Sequence, residues 1–301
     1  MSALRLPAVW PHRGASDIVA AGGVSWHVQR FGAGPPLLLI HGTGASTHSF
    51  RALAGLLSHE FEIVMADLPG HGFSGRLESP GLPQVSAALG ALMRYLGIEP
   101  AIAAGHSAGA AVALRMALDG LIAPRAVIGL CPALQPYGGA ADGLASKLVR
   151  VALLNPVTPR LFAMRADERR VARLIARTGS NLDAEGVGCY ARLFKEPEHI
   201  AGTLRLMANW RLRPLLDDLP CLAPPAVLIA AERDRATPPG HVETGARRIP
   251  ACELVRLSGL GHLAHEEDPE AAAAVIRRVA RGAGLLANHQ ERGLQLAGGG
   301  A

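Results

Sequence analysis

Gly105-His106-Ser107-Ala108-Gly109 stands where the apolar run Ala101 to Ala104 gives way to Ala110-Ala111-Val112-Ala113-Leu114. The first run is short and uncharged, as in a buried strand, and the second is dominated by good helix formers. A serine on a sharp turn between strand and helix takes a strained backbone, and its flanking residues must be small, because a Cβ there strikes the adjoining strand or helix. Gly105 and Gly109 meet that demand. The spacing predicts a nucleophile elbow, with the Ser107 hydroxyl presented at the carboxyl end of a parallel sheet. A Gly/Ala-rich helix start whose serine merely caps has the same five residues, so the flanking chain has to discriminate.

Upstream, Val24 to Arg30 alternates apolar and polar side chains like a half-buried strand, and Leu37-Leu38-Leu39-Ile40 is wholly apolar, like a strand buried on both faces. The next residues, His41-Gly42-Thr43-Gly44, form a turn that can aim a backbone N–H at the elbow and supply half of an oxyanion hole; an ordinary strand-to-helix loop is the other reading. Phe50 to Leu57 reads as a helix and Glu62 to Ala66 as a strand. The loop Asp67 to Ser74 is dense in turn formers, so Asp67 and His71 are assigned to fixing its backbone rather than to chemistry. A helix from about Val85 to Leu96, stopped by Gly97, leads into the elbow, and Val127 to Leu130 supplies another buried strand. Short apolar strands alternating with longer helices predict a parallel sheet covered on both faces.

From Pro132 to about Pro220 strand-like runs disappear. Helical patterns cover Ala145 to Leu154, Asp167 to Arg177, Asp183 to Phe194 and Pro197 to Trp210. Asp167 is placed as a helix N-cap, and Val171, Leu174 and Ile175 form one apolar stripe. This is expected to be an inserted helical cap. Between Cys131 and Pro220 thirteen basic residues face nine acidic ones, so this segment carries +4 of the chain's net +5. Most of those arginines are expected on solvated helix faces. A lid that is apolar inside and arginine-rich at its edges nevertheless suits a large apolar ligand carrying carboxylates, which guanidinium pairs in a bidentate fork.

The sheet pattern resumes with the strand Ala226 to Ala231, followed by Glu232-Arg233-Asp234. A short helix near His241 to Arg248, a strand Cys252 to Leu257, the loop Ser258 to Glu267 holding His262, and a final helix Pro269 to about Gly282 complete the pattern. A serine, then an acid after one late strand, then a histidine after the next, is the order of one hydrolase architecture. Ser107, Asp234 and His262 are therefore the expected catalytic groups, with Glu232 a rival acid two places earlier. The expected organisation is an arm over residues 1–16, a core over 17–131 and 221–282, a cap over 132–220 and a mobile tail over 283–301.

Composition narrows the function classes. The positive charge is mild and almost wholly arginine, with no dense basic run, which argues against nucleic acid. Cys131, Cys189, Cys221 and Cys252 are scattered without a Cys-x-x-Cys pair, so reduced thiols are expected, with neither a zinc knuckle nor a disulfide framework. His262 and His265 are three apart without a third ligand in view, so no metal site is expected. The first sixteen residues lack the continuous apolar core of a secretory signal, and the apolar stretch Pro100 to Leu114 is shorter than the ~20 residues of a membrane span, giving a cytoplasmic expectation. Neither Lys147 nor Lys195 follows a glycine, so no phosphate-binding Gly-x-x-x-x-Gly-Lys loop exists.

Over about residues 17–282 the chain resembles the α/β-hydrolase fold family. The segments Trp26 to Arg30, His41 to Ser49, Gly105 to Ala111, Met207-Ala208-Asn209-Trp210 and Gly259 to Glu267 are similar to the magnesium-chelatase accessory proteins of bacteriochlorophyll-making bacteria. The resemblance implies a mostly parallel eight-stranded sheet and a role at or near insertion of magnesium into protoporphyrin IX. Carried over by position, Ser107 is nucleophile, His262 base and then acid, and Asp234 the group that orients the imidazole, with the N–H groups of Thr43 and Ala108 holding the oxyanion. No cofactor is needed for that chemistry. A tetrapyrrole ligand and chelatase subunits are the implied partners; without the phosphate loop, any part in chelation is auxiliary to the ATP-driven motor. An esterase or carbon–carbon bond hydrolase of an unrelated small substrate, and a non-catalytic tetrapyrrole carrier or chaperone, are the competing readings.

Overall fold

The computed structural model describes residues 6–135, 155 and 157–287. Eight strands form one sheet in the order β1-β2-β4-β3-β5-β6-β7-β8. They are β1 (Ser16–Ala21), β2 (Val24–Gly32), β3 (Pro36–Ile40), β4 (Glu62–Ala66), β5 (Ile102–His106), β6 (Ala126–Leu130), β7 (Ala226–Ala231) and β8 (Cys252–Leu257). β2 runs antiparallel to both β1 and β4, and every other pairing is parallel. The parallel strands end nearly level, with Ile40 opposite Gly105, His106 opposite Leu130 and Leu130 opposite Ile229. The loops after β3, β5, β6, β7 and β8 therefore meet along one edge.

The apolar runs are explained by burial on both faces. Leu38, Ile40, Val64, Ala103 and Val127 point into a core shared with α2 (Leu82–Leu96) and α3 (Ala108–Leu118). Leu37, Leu39, Ile63, Met65 and Ile128 alternate to the opposite core, against α1 (Arg51–Leu57) and the last helix (Pro269–Gly282). Period two therefore divides each strand between two helix layers. Full burial of a leucine or isoleucine contributes ~1.5–3 kcal/mol, so these strands anchor the domain.

Between β6 and β7 the described residues hold only helices: α4 (Val157–Arg165), α5 (Glu168–Arg177), α6 (Ala184–Phe194), α7 (Pro197–Asn209) and α8 (Arg213–Asp218), with a short 3-10 turn at Leu219–Cys221. Asp167 caps α5 by accepting the Arg170 N–H at 2.8 Å, and Asp183 caps α6 through the Gly186 N–H at 2.7 Å. The helical pattern at Ala145 to Leu154 lies outside the described residues. After β7 come α9 (Pro239–Ala246), and after β8 the short α10 (Ala264–Glu267) and then α11 (Pro269–Gly282).

Two features depart from the periodicity. β1 carries no apolar alternation, with Ile18 62% exposed, and is held as an edge strand by its pairing to β2. In α5, Val171 and Ile175 are buried, but Leu174 is 37% exposed and faces a cleft instead of the core.

Candidate active site

Ser107 follows β5 with φ 52° and ψ −114°, a region that residues with a Cβ rarely occupy. The backbone is pinned there, the Ser107 N–H donating to Leu130 O at 2.9 Å and its carbonyl accepting the Ala133 N–H at 3.0 Å. The glycines are a steric necessity. A Cβ on Gly105 would lie 2.3 Å from the Gly109 carbonyl, and one on Gly109 would lie 2.0 Å from Ile40 O.

Asp234 and His262 come from the ends of β7 and β8 and meet through His262 Nδ1 and Asp234 Oδ2 at 2.8 Å. The other Asp234 oxygen accepts the N–H groups of Ala236 and Thr237, both at 2.8 Å, and the Thr237 hydroxyl donates to Oδ2 at 2.6 Å. Burial alone raises the pKa of this carboxyl, but the bonds from His262 and Thr237 outweigh it and hold it below the usual carboxylate value. Glu232, the rival acid, accepts the Gly259 N–H at 2.9 Å on the surface.

The serine and histidine loops are joined through the residue before the serine. His106 Nε2–H donates to His262 O at 3.0 Å, and the two rings lie 4.7 Å apart. Ser107 is 6% exposed, and its hydroxyl makes no hydrogen bond among the described residues. Serine–histidine bonds of this kind commonly tighten only when substrate is in place.

The Thr43 loop lies directly over the elbow, since a Cβ on Gly42 would be 3.0 Å from Ser107 Cβ. His41 Nδ1–H donates to Gly42 O at 2.8 Å, while its Nε2 accepts the Leu68 N–H at 2.8 Å. In a trans peptide the carbonyl and the following N–H point opposite ways, and the chain contains no cis peptide among the described residues. With Gly42 O tied to His41, the Thr43 N–H is turned to the other side. By the same argument the Ala108 N–H opposes Ser107 O, which is tied to Ala133. Neither N–H finds an acceptor among the described residues.

The histidine loop is bolted down from the helical segment, by residues that sequence reasoning did not single out. Leu263 N–H donates to Ser180 Oγ at 2.7 Å. Glu266, whose side chain is fully buried, accepts from Ser49 at 2.7 Å, Tyr190 at 2.8 Å and Arg51 at 2.5 Å. His199 of α7 is a further clamp: its Nδ1 accepts the Gly72 N–H at 3.0 Å, and its Nε2–H donates to Gly44 O at 3.1 Å. Asp67 fixes its loop, as expected, by accepting from Thr47 N–H at 2.7 Å, Phe73 N–H at 2.9 Å and His27 Nδ1 at 2.8 Å. Burial works against its charge, but His27 and these donors keep the carboxyl well below its ordinary value.

Cys131, with φ 46°, places its thiol beside the acid–histidine pair. Cys131, Asp234 and His262 offer ligand atoms within 4.8 Å of one another and, among the described residues, are the group that could hold a metal. Burial, reinforced by the charge of Asp234, pushes the thiol well above its ordinary pKa. A metal there has to displace a firmly held proton.

Residues 37–275 match the alpha/beta hydrolase family. The chain is 42% identical over 267 residues to the magnesium-chelatase 30 kDa subunit of Rhodobacter capsulatus, covering 87% of this chain and 93% of that one. It is 28% identical over 242 residues to a pimeloyl-[acyl-carrier protein] methyl ester esterase of Xanthomonas oryzae pv. oryzae, covering 78% and 91% of the two. A thermophilic esterase from Thermogutta terrifontis, solved with malate bound, superposes with a TM-score of 0.72 at 24% identity, over 88% of this chain and 97% of that chain, a likeness of fold. Because the family match runs from β3 to the middle of α11, and so takes in the parallel part of the sheet and every loop along its functional edge, the chain belongs to the alpha/beta hydrolase family.

Proposed function

We propose that this protein is a cytoplasmic accessory protein acting in or near the magnesium chelation step of bacteriochlorophyll synthesis, and that it uses Ser107, His262 and Asp234 to cleave an ester or acyl bond of a tetrapyrrole or related ligand. The observation that carries the chemistry is the 2.8 Å bond between His262 Nδ1 and Asp234 Oδ2 alongside a serine held at φ 52°. The 42% identity to the magnesium-chelatase 30 kDa subunit supports the pathway and makes chelatase subunits the expected partners. Four unpaired cysteines suit a reducing compartment.

In this mechanism Ser107 Oγ attacks the ester carbonyl carbon while His262 Nε2 takes its proton. Asp234 fixes the tautomer by accepting from Nδ1 and stabilises the imidazolium that forms. The tetrahedral oxyanion is held by the N–H groups of Thr43 and Ala108, each such donor being worth ~3 kcal/mol. The intermediate collapses, His262 protonates the departing alcohol, and water then releases the acyl group by the same steps in reverse roles. The helices between β6 and β7 act as the lid, fastened through Ser180, Tyr190 and His199.

The test is complementation of a deletion strain by wild type and by Ser107→Ala, with tetrapyrroles measured, together with fluorophosphonate labelling of the purified proteins. Label on wild type alone and pigment loss in the mutant are expected. Full pigment with Ser107→Ala would remove catalysis from the role and leave a carrier. Likeness to the methyl ester esterase supports one other reading, a general carboxylesterase. Turnover of simple acyl esters with no shift in protoporphyrin IX absorbance at micromolar protein would select it.

A further inference from the structure

Helices α4 and α5 enclose a cleft of about 530 Å³, within the range of small-molecule sites. Its apolar walls are unusual for a surface. Leu161, Phe162 and Leu174 are 46%, 40% and 37% exposed, and with Val157 and Met164 they make up five of the eight large apolar side chains left exposed among the described residues. A scattered exposed leucine needs no explanation, but a cluster on two adjacent helices does.

The same cleft is lined by Arg165, Arg170, Arg173 and Arg177. Arg170 is engaged by Asp167 at 3.6 Å and by the Arg165 carbonyl at 2.5 Å. Arg173 meets only the Arg169 carbonyl, at 3.3 Å, and among the described residues no carboxylate lies within ion-pair distance of Arg165, Arg173 or Arg177. Positions 170, 173, 174 and 177 share one face of a helix, where like charges three and four apart repel. Two or more carboxylates relieve that repulsion, and a guanidinium takes each in a forked pair. Val171, which also lines the cleft, belongs to one buried apolar cluster with Ala45 and Leu263, neighbours of the Thr43 loop and of His262.

From this arrangement we infer that the α4–α5 cleft binds a rigid apolar molecule bearing at least two carboxylates, the body lying on Leu161, Phe162 and Leu174 and the carboxylates on Arg173, Arg177 and Arg165. The inference rests on the tetrapyrrole reading above and gives that ligand a place next to the candidate active site. An inorganic anion has no use for the apolar walls, and a membrane surface favours a convex patch over a cleft.

The experiment titrates the full chain with protoporphyrin IX, its dimethyl ester, palmitate, and phosphatidylglycerol vesicles, comparing wild type, R173Q/R177Q and R94Q/R125Q. The last pair removes the same charge from exposed positions elsewhere. The Kd for protoporphyrin IX should rise at least tenfold in R173Q/R177Q and stay at the wild-type value in R94Q/R125Q. The dimethyl ester should bind wild type at least tenfold more weakly than the free acid and be indifferent to the substitutions. Retained fluorophosphonate labelling of Ser107 certifies that R173Q/R177Q is folded. Wild-type pigment binding unchanged in R173Q/R177Q overturns the cleft while leaving the tetrapyrrole reading in place. No pigment binding by wild type overturns the tetrapyrrole reading itself. Palmitate, vesicles or a second copy of the chain binding in place of the pigment, and lost in the same variant, overturns the rigid dicarboxylate as the occupant.

Discussion

The histidines around the elbow and the arginines of α4 and α5 are both nitrogen bases, and their surroundings drive them to opposite states. Of the chain's twelve histidines eight are buried among the described residues, and six of these, His41, His48, His71, His106, His199 and His265, have pKa values lowered by burial first and by neighbouring imidazoles as well. A neutral imidazole offers one donor and one acceptor at a fixed angle, which suits it to a joint between loops. His41 and His199 serve in that way. The arginines of α5 lie largely in solvent, where they do little for stability and much for an anionic ligand. Thus burial converts one set of cations into structural joints, and exposure leaves the other available for binding.

This contrast can be broken at four points, taken from the largest expected effect. Asp67→Ala removes the acceptor for Thr47, Phe73 and His27 at a position that is 0% exposed. Urea denaturation should report a loss of about 3–5 kcal/mol; a loss under 1 kcal/mol would show that the histidine-rich loops do not depend on this hub.

The second point is pH. His199 falls from 6.5 to about 4 on folding. A group depressed in the native state contributes its full stability above its unfolded pKa, and loses it as the pH drops toward the folded value, because the unfolded chain then binds the extra proton. His199 alone should cost about 2 kcal/mol between pH 6.5 and 5. In denaturation series at several pH values, His199→Gln should flatten that slope by about one proton, and an unchanged slope would assign the acid sensitivity elsewhere.

Third, a Cβ on Gly202 of α7 would lie 1.9 Å from Gly70 O. Gly202→Ala should push α7 off the loop that His199 clamps, lowering stability by about 1–3 kcal/mol and slowing fluorophosphonate labelling of Ser107 as well. Unaltered kinetics would mean that the clamp does not govern the Thr43 loop. Smallest of all, Arg173→Gln on α5 should leave unfolding within about 0.5 kcal/mol of wild type, since the side chain has no carboxylate partner among the described residues. A larger destabilisation would make that arginine structural and erase the contrast.

Much of this was legible in the chain itself. β4, β7 and α11 fall on the apolar runs and helical pattern that announced them, because strands buried on both faces and helices with one apolar stripe leave local signatures, and the edge strand β8 shows its half-buried residues at Cys252, Leu254, Val255 and Leu257. β1 left none, being an edge strand with no fully buried residue, held by its pairing to β2 and by the half-buried Val19 and Ala21 against the core. α4 was equally silent, since its apolar residues are spread without a buried stripe. Leu174 belonged to the right stripe by spacing but turned to the cleft, a choice that depends on what α4 places opposite it.

By itself the sequence determined the alternation of strands and helices, the steric demand for Gly105 and Gly109, and the order Ser107, Asp234, His262, because each follows from residues close in the chain or from their order along it. Only the tertiary structure decided that Asp234 rather than Glu232 meets His262, that His199 ties the Thr43 loop to α7, and that four arginines gather around an apolar cleft. Those choices rest on atoms 28 to 155 residues apart along the chain, or on facing surfaces of separate helices. Hydrogen bonds at 3 Å and the burial that neutralises a histidine exist only once the chain has brought such atoms together.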